Sequence, residues 1–386
     1  MLKSIEQYFD RLFSPIKPIP AGVYQYQAPE GARLPYKLHL RVETDGTGIL
    51  ILNASTVLHL NQTAAEYIYH LMKDKPVDEI VPLISERYDV GLEQSRKDLD
   101  DLLTQVDALV NAVDLDPVAF LNLDRVEPYS KRISAPYRLD CALTYRVPEG
   151  SDAAYAPTDR VKRELSTDEW KTILRKAWEA GVPHVNFTGG EPTLRDDLPE
   201  LVLEAENLGM VCGLLTDGSG FRQKKDISPL LANGLDHIML LGNPGRDAFW
   251  KALKLLMPED IAVTVHVTIT IANQTEIPAM LESLAKEKVT SLSLSAVDEF
   301  LAEDIGLASR KAASLGMSLV WDLPVPYSDS NPVALEMRHI SDKIAQGAGK
   351  AWLYVEPDGD VLLAQGINKV LGNLLTDPWT RIWKRH

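Results

Sequence analysis

Cysteine is nearly missing from this chain: Cys141 and Cys212 are the only two in 386 residues, and 71 positions separate them. Two such residues make no disulfide framework and cannot supply a three-thiolate metal site. Positive charge is also short. Forty Lys and Arg stand against 55 Asp and Glu, a formal net charge of −15, which argues against sequence-independent binding to nucleic acid. No run reaches the ~20 apolar residues that a membrane helix requires. The opening residues, Met1 to Asp10, carry too many charges for the core of a secretion signal. The expectation is a cytoplasmic protein whose partners are neither nucleic acid nor membrane. The length suits two or three cores at roughly 150 residues each.

What is present falls into five stretches. Residues 1–36 are rich in Pro and aromatics (Pro15, Pro18, Pro20, Tyr24, Tyr26, Pro29, Pro35), which suits an extended arm. Residues 37–112 read as three strands and three helices. Leu38–Glu43 alternates apolar and polar, Asp45-Gly-Thr-Gly48 signals a hairpin turn, and Ile49–Leu52 and Thr56–Leu60 give two more strands. Asn61 caps a helix over Gln62–Met72, Pro76 starts Val77–Tyr88, and Leu92–Val110 forms the third helix. This order is winged-helix-like, and the third helix carries more acid than base, which disfavours a DNA-reading role. An Asp- and Pro-dense linker over 113–134 follows, then strands alternating with helices over 135–330, and a tail over 331–386.

The alternation over 135–330 predicts an α/β fold, a partial (β/α)6 TIM-type barrel. Its strands are Tyr137–Tyr145, His184–Thr188, Val211–Thr216, His237–Gly242, Ile261–Thr270 and Ser291–Ser295, and Ser166-Thr-Asp-Glu169 is a capping-box start for a helix through Ala180. The second strand runs into Gly189-Gly-Glu-Pro192. Glycines there allow a sharp turn and a close backbone approach to a ligand, and Glu191 lies at the strand's C-terminal end, where barrel active sites are built. Asp140, Asp217 and Asp322 are further acids expected near strand ends. His266 has no second His at metal spacing and reads as packed or hydrogen-bonded.

Gly189-Gly-Glu-Pro192 resembles the GGEP motif of the radical S-adenosylmethionine (SAM) superfamily, and Thr216-Asp-Gly218 resembles that family's TNG, with Asp217 for Asn. The resemblance implies a SAM pocket formed by Gly189, Gly190, Glu191, Thr216, Asp217 and Gly218, with Glu191 at the amino group of SAM. It also implies a CxxxCxxC loop after the first strand, which this chain does not have. The three positions hold Val147, Ser151 and Ala154. Val and Ala ligate no metal, and a Ser hydroxyl is a poor replacement for a thiolate. No iron–sulfur cluster is expected, and any binding of SAM is expected to be weak.

Leu58–Tyr69 and its surroundings resemble PqqD-like domains, which recognise precursor peptides of ribosomally made, modified products. That resemblance implies a peptide leader added as a strand along Thr56, Val57, Leu58, His59 and Leu60, against a helix wall containing Ser95, Leu102 and Val106. The tail, Trp352–Gly366 and Val370–Trp383, resembles a short SPASM-type extension, with Ala364 where a cluster cysteine would stand. Two functions stay open. One is a cluster-less relative, a pseudoenzyme that binds a precursor peptide or a maturation-pathway protein. The other is an active SAM-dependent enzyme modifying a peptide or cofactor precursor.

Overall fold

The computed structural model describes residues 17–27, 37–52, 56–111, 133–151, 153–243, 245–320, 323–329, 331–333 and 347–383. The expected linker and Asp322 therefore fall outside the described residues, apart from 133–134. The chain divides into two compact units, 1–127 and 128–386.

Among the described residues, the first unit is a four-stranded antiparallel sheet with three helices. Strands β1 (Gly22–Gln27), β2 (Lys37–Val42), β3 (Gly48–Leu52) and β4 (Thr56–Leu60) pair in sequence order. Strand β1 is a departure from the expected arm. Its Tyr24 and Tyr26 alternate with Val23 and Gln25, and that two-residue period pairs along β2 from Gly22 opposite Val42 to Gln27 opposite Lys37. The flanking prolines concealed it. Helix α1 (Gln62–Leu71) packs on β2, β3 and β4, and helices α2 (Val77–Tyr88) and α3 (Leu92–Asn111) pack against it and against each other. The Asn61 side chain accepts from the Ala64 amide, as expected of a helix cap, an arrangement typically worth about 1 kcal/mol. Leu38, Leu40, Leu50, Leu52, Ile68, Ile80 and Leu99 form the core.

The second unit is the partial barrel. Strands β5 (Arg138–Thr144), β6 (His184–Gly189), β7 (Val211–Thr216), β8 (His237–Leu241), β9 (Ala262–Ile269) and β10 (Ser291–Ala296) are parallel and adjacent in order. Helices α4 (Thr167–Ala180), α5 (Leu198–Asn207), α6 (Lys224–Ala232), α7 (Asp247–Leu256), α8 (Ile277–Lys286) and α9 (Ala302–Ser314) alternate with or follow them. The Ser166 capping box is formed in both directions. Leu139, Cys141, Val185, Phe187, Leu214, Ile238, Val265 and Leu292 turn toward the helices and form one core.

The tail is built into the same sheet. After the short β11 (Ser318–Leu319), which extends the β10 edge, strand β12 (Trp352–Val355) returns to the opposite edge and pairs in parallel with β5. Strands β13 (Asp360–Leu362) and β14 (Gly372–Asn373) add antiparallel, giving ten strands, before helix α10 (Trp379–Trp383). The described part of 331–386 thus shares the barrel's sheet. Alternation along β12 identifies a strand, but nothing in those four residues names its partner.

Candidate functional site

At the barrel mouth, Gly189 and Gly190 pack closely against a neighbouring loop. The Gly190 amide donates to the Thr144 carbonyl and the Glu191 amide to the Arg146 carbonyl, both at 2.8 Å. A Cβ on Gly189 would lie 2.2 Å from the Thr144 oxygen, and one on Gly190 would lie 2.2 Å from the Arg146 oxygen. Gly189 also holds φ at +123°, a value strained for any other residue. The loop that would carry cluster cysteines is therefore hydrogen-bonded directly to the glycine turn.

Glu191 is buried, and its carboxylate is committed within the chain. Oε1 accepts from the Thr193 amide (3.0 Å), the Thr193 hydroxyl (2.6 Å) and the Thr216 hydroxyl (2.7 Å), while Oε2 accepts from the Asp217 amide at 2.8 Å. Burial, and then the neighbouring charge of Asp217, push its pKa up to about 8. The Gly218 amide donates to the Thr216 hydroxyl, and its φ of +78° together with close packing on Ala252 and Leu240 requires glycine there. Thr216 and Asp217 are thus hydrogen-bonded to Glu191, and Gly218 to Thr216.

Glu191, Gly190 and Asp217 line a cavity of about 70 Å³ with Val147, Ser151, Asn243, Arg246, His266, Thr268, Tyr327 and Asp329. At ~15 Å³ for each water centre, that space suits a handful of waters. Asn243, Arg246, Thr268, Tyr327 and Asp329 were not found from sequence. Their signal was partly present, because Thr264, His266 and Thr268 on β9 alternate with apolar residues and sit in register with Ser291, Ser293 and Ser295 on β10. His266 Nδ1 meets Ser293 at 3.0 Å, and its Nε2 meets Ser295 at 3.0 Å and Thr268 at 3.2 Å. Burial holds its pKa down to about 4, so the imidazole is neutral at pH 7. Arg246 pairs with Asp329 across the mouth at 2.7 Å. Asp140, by contrast, lies below the mouth, clasped by Arg138 at 2.8 and 3.0 Å.

Of the three degenerate ligand positions, Val147 and Ser151 border the same cavity while Ala154 does not line it. Val147 packs against an apolar cluster of Ala142, Tyr145, Ala156, Tyr327, Tyr354 and Leu362; Ser151 lines the cavity; Ala154 is exposed. Tyr145 donates to Glu356 at 2.9 Å, and Arg160 ion-pairs with Glu356 at 3.2 Å, tying this loop to the β12–β13 turn. Cys141 and Cys212 are buried and unbridged in the core between sheet and helices. Among the described residues, no group of three or more His, Cys, Asp or Glu converges as for a metal ion. An aliphatic side chain in an apolar cluster, a hydroxyl and an exposed methyl do not fit a cluster site.

In the first unit, β4 ends the sheet, so its outer edge faces no further strand among the described residues. Leu58 is half-buried, His59 exposed and Leu60 buried. The expected helix wall is corrected. Ser95, Leu102 and Val106 face inward with Leu99, on the buried stripe of α3 at i, i+4, i+7 and i+11. Ser95 lies 2.7 Å from the Tyr67 hydroxyl and donates to the Val81 carbonyl at 3.1 Å. A stripe that packs the helix onto its own module cannot also present those side chains to a ligand.

These features define a partial (β/α)6 barrel preceded in the chain by a winged-helix-like module. The profile of the Radical SAM superfamily matches residues 141–241, and that of coenzyme PQQ synthesis protein D (PqqD) matches residues 48–109. The chain carries a radical SAM domain preceded by a PqqD domain. Its fold is similar to Streptococcus suis SuiB bound to S-adenosylmethionine, at 16% identity and a TM-score of 0.59 over 90% of this chain and 86% of that one. SuiB bound to the precursor peptide SuiA gives 16% identity and a TM-score of 0.57, over 89% of this chain and 86% of that one. No helix among the described residues is long and apolar enough to cross a membrane.

Proposed function

We propose that this chain is a cluster-less relative of the radical SAM enzymes, a pseudoenzyme that captures a precursor peptide or partner protein in a cytoplasmic peptide-modification or cofactor-maturation pathway. The observation that carries this reading is Val147, Ser151 and Ala154 at the cluster positions, with Val147 packed into an apolar cluster. Reductive cleavage of SAM in the family depends on the cluster, so no redox step is assigned to this barrel. The place of β4 at the end of the sheet among the described residues supports peptide capture, because strand addition needs an edge strand. The PqqD domain and the fold shared with SuiB in its SuiA-bound form support the same reading.

Anaerobic reconstitution with iron and sulfide is expected to leave the chain with no stoichiometric iron and no cluster absorption band. About four irons per chain with a matching visible spectrum would return the barrel to redox catalysis. SAM is proposed to bind weakly through the Glu191 and Thr216–Gly218 turns, and calorimetry should show an interaction lost in Glu191→Ala. Tight binding indifferent to that change would remove the assignment.

Peptide capture has its own test. Alternate amides of an antiparallel edge strand point outward, so proline at either Val57 or Leu58 removes an outward donor. Full-length chain used to recover peptides from its native lysate is expected to lose at least about tenfold of the captured peptide, roughly 1.4 kcal/mol, with one of the two variants. Recovery unchanged by both, from chains whose circular dichroism is intact, would leave the module as structural packing.

A further inference from the structure

The sheet of the first unit has two ends, β4 and β1, and the proposed function uses only β4. Natural edge strands carry a device against pairing: a charge, a proline, a bulge or a covering element. Strand β1, Gly22-Val-Tyr-Gln-Tyr-Gln27, contains no charge and no proline, and its register with β2 runs without a bulge. No strand pairs with its outer side among the described residues.

The strand is also its own complement. Two copies set antiparallel about Gln25 place each Tyr24 opposite the other copy's Tyr26, and each Val23 opposite the other copy's Gln27. This register keeps the faces matched, since Tyr24 and Tyr26 both pack on the module's core while Val23 and Gln25 alternate to the other side. A slip of one residue would put Tyr24 opposite the other copy's Gln25 and so set the core face of one sheet against the outer face of the other. The Tyr24 ring is already held, by a 2.7 Å bond from its hydroxyl to the Pro20 carbonyl and an edge contact with Tyr69 at 4.8 Å. Little freedom remains to be lost when a second ring arrives.

We propose that β1 is a self-association edge, at which two copies of this chain pair about a two-fold axis through Gln25 and join their four-stranded sheets into one of eight strands. The contact is isologous, so it closes at a dimer and does not propagate. It leaves β4 at both outer ends of the joined sheet. One strand pair buries far less than the ~1,200 Å² of a stable complex, so the association is weak and concentration-dependent.

Sedimentation of the full chain from about 1 to about 200 µM tests this. The wild-type mass is expected to rise from monomer toward dimer. Gln25→Lys and Gln25→Glu place like charges against each other at the axis, and each alone should associate at least about tenfold more weakly. An equal mixture of the two should recover the dimer. Circular dichroism checks that each variant folds, and if either does not, Gln25→Cys supplies a second test: mild oxidation should cross-link it between chains, whereas Gly91→Cys should stay monomeric. A wild type that remains monomeric throughout, a Gln25→Lys chain that dimerises as well as wild type, or a mixture no tighter than its components would overturn the proposal.

Discussion

Gly190→Ala is expected to lower the melting temperature of the barrel by roughly 6–12 °C, from a loss of about 3 kcal/mol at the upper range of overpacking. The added methyl would meet the Arg146 oxygen at 2.2 Å, the Arg146 carbonyl carbon at 2.9 Å and the Tyr145 carbonyl carbon at 3.0 Å. All three are backbone atoms, so no side chain can swing aside. Relief requires moving the 144–146 segment, which breaks the amide bonds from Gly190 and Glu191. Gly150→Ala in the same loop is the control. Its φ is +87° but nothing lies within 4 Å of a Cβ, so only the left-handed strain of about 1 kcal/mol applies. Differential scanning fluorimetry of the two variants separates the causes, and equal losses would show that the glycine turn is not clamped by the loop.

Replacing Glu191 with glutamine should change how stability responds to pH. With its folded pKa raised to about 8 from an ordinary 4.5, Glu191 keeps its proton in the folded chain and gives it up on unfolding between those values. Its contribution is therefore full below 4.5, and it falls as pH rises toward 8, by at most about 1.4 kcal/mol per unit. The substituted amide carries no such proton. The Glu191→Gln variant is expected to be less stable than wild type at pH 5, because an amide nitrogen must face one of the four donors. The gap should then narrow or reverse by pH 8. Parallel melting profiles from pH 5 to 8 would mean that Glu191 is ionised in the folded chain, held by those donors against burial.

Much of this fold could be read from residue order. Asn61 and Ser166 mark helix starts because a short polar side chain satisfies a free amide locally, and that chemistry does not wait for tertiary structure. The glycine turn and Glu191 were legible for the same reason, as a strand end with special backbone needs. What could not be read was which partner each group would find. The nearest atoms to Gly190 come from a segment more than forty positions earlier, and Glu191 spends its oxygens on Thr193, Thr216 and Asp217. Ser95, Leu102 and Val106 share a helix face by spacing alone, but whether that face looks inward depends on α1 and α2. Strand β1 was hidden by prolines on either side, and Arg246 by its partner Asp329 across the mouth.

The pairing of β12 with β5 has a consequence for the order of folding. Trp352 lies opposite Arg138 and Val355 opposite Cys141, so the first barrel strand obtains its outer neighbour from a segment more than two hundred positions later. During synthesis the edge of β5 stays open while every intervening β/α unit emerges. Contacts of such separation form late, and an unpaired strand edge is the surface on which partly made chains aggregate. Emergence of β12, and not completion of the sixth β/α unit, is the step at which β5 gains its outer neighbour.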